Sequence, residues 1–143
     1  MDDAFVHFSR LLHRTAHAWR LAIDRRVKAS GFGMSSWLAV AAIAGEAEPI
    51  TQKMLAQLLG LEEASVVPLV QRLVKQDLVQ RIQPDEDRRK RLLYVTEKGS
   101  ALYSSVKAEA DSLRAELLAD IPPEQLAVTQ QVLQRLLVKI GTV

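Results

Sequence analysis

The 143-residue sequence predicts a mainly α-helical protein with one small β-hairpin. Three observations carry that reading. Apolar residues recur at three- and four-residue spacing through both ends of the chain, the pattern of amphipathic helices. Residues 78–82 and 91–95, Leu78-Val79-Gln80-Arg81-Ile82 and Arg91-Leu92-Leu93-Tyr94-Val95, are short apolar-rich runs separated by the charged segment 83–90. Two such runs around a loop too long for a tight turn make a hairpin with a projecting tip. Just before them stand two short helical segments, divided at Gly60.

From the N-terminus, Phe5, Phe8, Leu12, Ala16, Trp19, Ile23 and Val27 form a three-four repeat over residues 4–28, about seven turns of one long amphipathic helix. Arg10, Arg14, Arg20, Arg25, Arg26 and Lys28 decorate it, and Ser30-Gly31-Phe32-Gly33 ends it. A second helix starts at Ser35 or a neighbour and is apolar on every side through residues 37–43. Lacking a polar face, it belongs in the core. Thr51 then caps a short helix whose apolar face is Leu55, Ala56, Leu58 and Leu59, and Gly60 stops it.

The next helix begins near Glu62, with Glu62 and Glu63 suited to the positive end of its dipole. Val66, Leu69, Val70 and Leu73 make its buried stripe, which leaves Ala64, Ser65, Val67, Pro68, Gln71, Arg72 and Lys75 facing outward. After the hairpin, Thr96 caps a helix over residues 97–119 with a sparse apolar line of Leu102, Val106, Leu113 and Leu117. Pro122 and Pro123 break it, and a last helix over 123–140 carries Leu126, Val132, Leu133, Leu136, Leu137 and Ile140.

The order helix, turn, helix, strand, charged tip, strand is that of a winged helix-turn-helix, here residues 34–96. The flanking parts, 1–33 and 97–143, present more apolar surface than so small a module can cover. They therefore read as helical dimerisation regions that pack against a second copy related by a two-fold axis, with a self-contained six-helix monomer as the alternative.

Composition narrows the function. The chain is 48% hydrophobic and 25% charged, as in a folded globular protein. A net charge of +2 is too small to argue for nucleic acid, although a pI of about 9.1 permits it. The clustering of Arg88, Arg89, Lys90 and Arg91 says more. With no cysteine, disulfides, thiolate zinc sites and thiol nucleophiles are excluded. Asp2 and Asp3 open the chain in place of a basic leader, and the longest apolar run, 37–44, is far short of a membrane span. The expectation is a cytoplasmic protein.

Several segments resemble the MarR family of bacterial transcriptional regulators, and its SlyA-like branch in particular. They are Leu55-Ala56 through Gly60-Leu61-Glu62, Arg72-Leu73, Leu78-Val79-Gln80-Arg81, and Asp87-Arg88-Arg89-Lys90 through Val95-Thr96-Glu97-Lys98-Gly99. The resemblance runs over nearly the whole chain and is most specific in the last of these segments. It implies a homodimer that places two recognition helices in successive major grooves of a pseudo-palindromic operator, represses by steric exclusion, and needs no cofactor.

On that reading Arg89 enters a minor groove, where a narrow negative trough favours a guanidinium, and Asp87 braces it through a bidentate ion pair. Arg88, Lys90 and Arg91 take phosphates, supplying affinity and salt dependence. Ser65 can bond a base edge or a phosphate, Gln71 can read adenine, and Arg72 can reach a phosphate or a guanine. Position 68 departs from the SlyA-like branch, which tends to have arginine there. Pro68 has no amide for the Ala64 carbonyl, so either the helix starts late, near Val67, or its first turns are distorted. Val67 and Pro68 then offer apolar contacts such as thymine methyls, and wing and DNA shape carry more of the specificity.

Members of this family often respond to small aromatic acids, and His13, Arg14, His17, Trp37 and Arg81 are residue types that would hold a phenolic or aromatic carboxylate. Trp19 and Trp37 also sit at core spacing. His13 and His17 stand four apart, as two metal ligands would, yet no third ligand accompanies them, so no metal site is expected. No catalytic motif is present, which leaves a winged module used for protein contacts as the competing reading.

Overall fold

The computed structural model describes residues 2–87 and 89–141. Among them are six α-helices and three strands: α1 (Asp2–Val27), α2 (Met34–Ala44), β1 (Ile50–Thr51), α3 (Gln52–Leu59), α4 (Glu63–Lys75), β2 (Val79–Ile82), β3 (Leu92–Val95), α5 (Glu97–Leu118) and α6 (Pro123–Ile140). A 3-10 turn, Lys28–Ser30, continues α1 and is closed by Gly31 at φ 85°. The chain forms two compact units, one up to Asp111 and one from Ser112 onward. No single helix among the described residues is long and apolar enough to cross a membrane.

In the first unit the core is built on α2. Trp37, Ala39, Val40 and Ile43 are buried, together with Leu55, Ala56, Val66, Leu69, Val70, Leu73, Leu78, Val79, Leu93, Leu102 and Val106 from the surrounding elements. The indole N–H of Trp37 would be costly to bury alone. It donates to Asp24 Oδ1 on α1 at 2.7 Å.

Local signals set the helix ends. Thr51 Oγ1 accepts from the amide of Met54 at 3.1 Å. Gly60 takes φ 69°, and Leu61 N reaches back to the Ala56 carbonyl at 2.9 Å. At the end of α4 an aspartate takes the position glycine usually holds: Asp77 has φ 61°, and Leu78 N donates to the Leu73 carbonyl at 3.0 Å. Asp tolerates this left-handed conformation better than most residues.

The sheet is antiparallel in the order β1-β3-β2, with Ile50 opposite Leu93 and Val79 opposite Val95. β1 was not expected from the sequence, because two residues show no periodicity; they become a strand only by lying beside β3. Leu78 and Arg91, expected inside the strands, lie just outside them. Leu117, expected on the apolar line of α5, is exposed, while Leu102, Val106 and Leu113 are buried.

The join between wing and α5 is tight. Thr96 Oγ1 accepts from Gly99 N at 3.0 Å and donates to the Asp77 carbonyl at 2.6 Å, while Thr96 N donates to the Leu78 carbonyl at 3.0 Å. A Cβ on Gly99 would overlap that same Leu78 carbonyl oxygen, and backbone cannot swing aside as a side chain can. Gly99→Ala is expected to lose about 1–3 kcal/mol, seen as a lower denaturation midpoint at unchanged m-value. An unchanged midpoint would refute the close approach.

Two surfaces stay apolar and open. On α1 Phe5 is 68% exposed, and Val6, Phe8, Leu11 and Leu12 are also open; on α6 no residue is buried, and Val138 and Ile140 are 73% and 69% exposed.

Candidate nucleic-acid interface

The helix-turn-helix is α3, the turn at Gly60 and α4. The stripe Val66, Leu69, Val70 and Leu73 is buried, so the rotation of α4 is determined. Ala64, Ser65, Val67, Pro68, Gln71, Arg72 and Lys75 all remain exposed. That outer face mixes two hydrogen-bonding side chains, two cations and the apolar pair Val67-Pro68, groups that can address base edges, phosphates and thymine methyls respectively.

Of the two outcomes expected for Pro68, a late start is overturned. The helix begins at Glu63 and continues through Pro68. Its first turn is tightened by an i to i−3 bond, Ser65 N to the Glu62 carbonyl at 3.0 Å. Because proline has no N–H, the Ala64 carbonyl has no i+4 donor. The buried stripe on the opposite side holds the helix together across that gap.

At the wing tip, Asp87 Oδ1 accepts from Arg89 twice, from the backbone amide at 3.0 Å and from Nε at 3.3 Å. Lys90 N closes the turn on the Asp87 carbonyl at 3.1 Å. This differs from the bidentate pair expected from sequence. One carboxylate oxygen serves both main chain and side chain, and the bond to the side chain is made through Nε. The Arg89 side chain is 93% exposed, against 32% for Asp87. Lys90 and Arg91 are exposed as well, while Arg88 lies outside the described residues.

The strands that carry the tip are tied by a hydrogen bond from the Tyr94 hydroxyl to Gln80 Oε1. The C-terminal end of α4 is held by Lys98, whose Nζ donates to the Gln76 carbonyl at 3.1 Å while lying 5.6 Å from the Phe32 ring centroid. A cation there complements the negative end of the helix dipole. Arg72 Nη2 donates to Ser35 Oγ at 2.9 Å. Sequence reading named neither Ser35 nor Lys98 as part of this surface. Each acts across a separation that no periodicity reports.

The expected effector residues are not brought together. Trp37, at core spacing in the sequence, is 2% exposed and bonded to Asp24, so it packs in the core of the single chain. His13 and Arg14 line a shallow depression with His7, Arg10 and Leu11, all on α1, and it takes in neither Trp37 nor Arg81. His17 is exposed on the same helix and Arg81 is exposed on β2. No group of three or more metal-ligating side chains occurs among the described residues.

Comparison with known proteins places this geometry. A model of the MarR family matches residues 30–90, which span the core helix, the helix-turn-helix and most of the wing. The crystal structure of the transcriptional regulator PA3341 shares 34% identity and a TM-score of 0.87, covering 95% of this chain and 99% of that one. CouR from Rhodococcus jostii RHA1, bound to p-coumaroyl-CoA, shares 26% identity and a TM-score of 0.79, covering 90% of each chain. Mutant MarR from E. coli complexed with operator DNA shares the fold, with a TM-score of 0.81 at 19% identity over 96% of this chain and 98% of that one.

Proposed function

Because the chain belongs to the MarR family of transcriptional regulators, and not to a family of enzymes, we propose that it is a dimeric repressor of the cytoplasm that binds a pseudo-palindromic operator. α4 lies in the major groove and Arg89 in the minor groove. The observation that carries this reading is the wing tip: a guanidinium almost wholly in solvent, held by one carboxylate oxygen at both ends of its residue. An arginine used only for folding has no need of that arrangement, since an exposed ion pair contributes little stability.

The open apolar faces of α1 and α6 support pairing with a second copy. Two-fold pairing sets a pair of recognition helices about one duplex turn apart. Ser65, Gln71 and Arg72 contact base edges or phosphates, Val67 and Pro68 contact thymine methyls, and Arg88, Lys90 and Arg91 bind phosphates. Lacking a long polar side chain at position 68, the helix discriminates bases weakly, and the wing and DNA shape supply the difference.

Release by a small aromatic carboxylate, or a thioester of one as in CouR, fits the α1 residues His13, Arg14 and His17, where Arg14 supplies the cation and the imidazoles supply hydrogen bonds, with Arg81 as a further candidate. The ligand acts by binding better to a dimer whose recognition helices are wrongly spaced.

Fluorescence-anisotropy titration of operator and scrambled duplexes at two salt concentrations, with and without phenolic acids, tests these statements together. Expected are a steep negative salt slope, preference for the operator, and release by at least one acid. For Pro68→Arg, the operator-to-scrambled ratio is expected to rise by about 5- to 100-fold. An unchanged ratio counts against weak readout by the helix. If the wild-type protein binds no duplex even at low salt, the winged module serves protein contacts instead.

A further inference from the structure

We infer that Ser35 is a positioning residue for DNA recognition: its hydroxyl holds the Arg72 guanidinium in place on α4 before DNA arrives. The inference rests on the DNA-binding reading above and adds a residue to it.

Ser35 and Ser36 open the first turn of α2, and each bonds to the last turns of α4. Arg72 Nη2 donates to Ser35 Oγ at 2.9 Å, and Ser36 Oγ donates to Gln76 Oε1 at 3.2 Å. Arg72 and Gln76 are four residues apart and so share one helix face. The two contacts thus form a two-point clamp between α2 and α4. Ser36 is itself buried, and the next residue, Trp37, is fixed by Asp24 at 2.7 Å. The Ser35 oxygen is therefore mounted on a part of the fold that cannot drift.

The chemistry of the holder matters. A carboxylate in this place would neutralise Arg72 and compete with a phosphate. A hydroxyl accepts one of the five guanidinium N–H bonds and leaves the charge and the other donors free. The Ser35–Arg72 bond is exposed, so a duplex can reach those donors while the arginine stays held. An arginine already confined loses less rotamer freedom on binding, and affinity rises accordingly.

The test is a double-mutant cycle on duplex binding with Ser35→Ala, Arg72→Ala and the two combined, alongside Ser35→Thr, which keeps the hydroxyl. Ser35→Ala is expected to weaken binding about fivefold, to have no further effect when Arg72 is already alanine, and to be reversed by threonine. Melting curves identify any variant whose fold is impaired; Ser35 is exposed, so none is expected. Equal losses in both arginine backgrounds, no loss in the wild-type background, or an Arg72→Ala variant that binds as wild type would each overturn the inference while leaving DNA binding intact. Wild-type protein that binds no duplex would overturn the reading it rests on.

Discussion

Arg89→Ala is expected to weaken operator binding roughly a hundredfold and to lower the salt slope by about 2 per dimer. The size follows from symmetry and chemistry. One arginine–DNA contact accounts for about 1–3 kcal/mol, and a two-fold assembly loses it twice. The slope falls because each subunit has lost a cation that sat in the negative trough of the minor groove, where it displaces counterions. Stability should move by less than about 0.5 kcal/mol, since the Asp87–Arg89 pair lies in solvent and contributes little to folding. Asp87→Ala provides the contrast. It removes a negative charge from the tip, which favours nonspecific attraction, yet frees the guanidinium, so operator preference should fall more than affinity does. Unaltered binding by Arg89→Ala in anisotropy titrations would remove Arg89 from the interface.

Leu137→Asp is expected to convert the protein to a monomer in analytical ultracentrifugation and to abolish binding to the full operator at concentrations where the wild type saturates it. Leu137 is exposed on α6, whose residues include no buried side chain at all. Burying a leucine contributes about 1.5–3 kcal/mol, and a self-complementary interface counts each side chain twice. Placing a carboxylate in each copy should therefore raise the dimer dissociation constant by at least about a thousandfold. Because Leu137 is exposed in the single chain, the helix itself should survive, with unchanged far-ultraviolet circular dichroism. A wild-type protein that sediments as a monomer at micromolar concentration, or a Leu137→Asp variant that stays paired, would end the two-fold reading.

How much of this was legible in the sequence depends on the range over which each signal acts. The four buried positions of α4 and the bounds of α6 followed from side-chain spacing and proline placement. The end of α3 followed from Gly60. The end of α4 did not, because its left-handed residue is Asp77, and nothing local marks an aspartate for that conformation. β1 was invisible for a similar reason: two residues carry no period, and only the register of Ile50 with Leu93 makes them a strand. The exposure of the outer face of α4 followed from the spacing of its buried stripe, and Asp87 and Arg89 lie close enough along the chain for their pairing to be expected. The Asp87 contact nevertheless runs through one oxygen to main chain and side chain together.

Pro68 shows where local rules yield. Taken alone, a proline six residues into a helix argues for a shorter one, yet α4 keeps its first turn. Burial of Val66, Leu69, Val70 and Leu73 outweighs one missing backbone bond, since four apolar side chains removed from water contribute several times what a single exposed hydrogen bond does.

By itself the sequence determined the helical character, the winged order of elements and the cationic tip, all of which arise from contacts between residues close along the chain. Only the tertiary structure decided that the Trp37 indole meets Asp24 and that Ser35 meets Arg72. Those pairings join residues brought together by the packing of separate helices, and periodicity along one helix carries no record of what another helix presents to it.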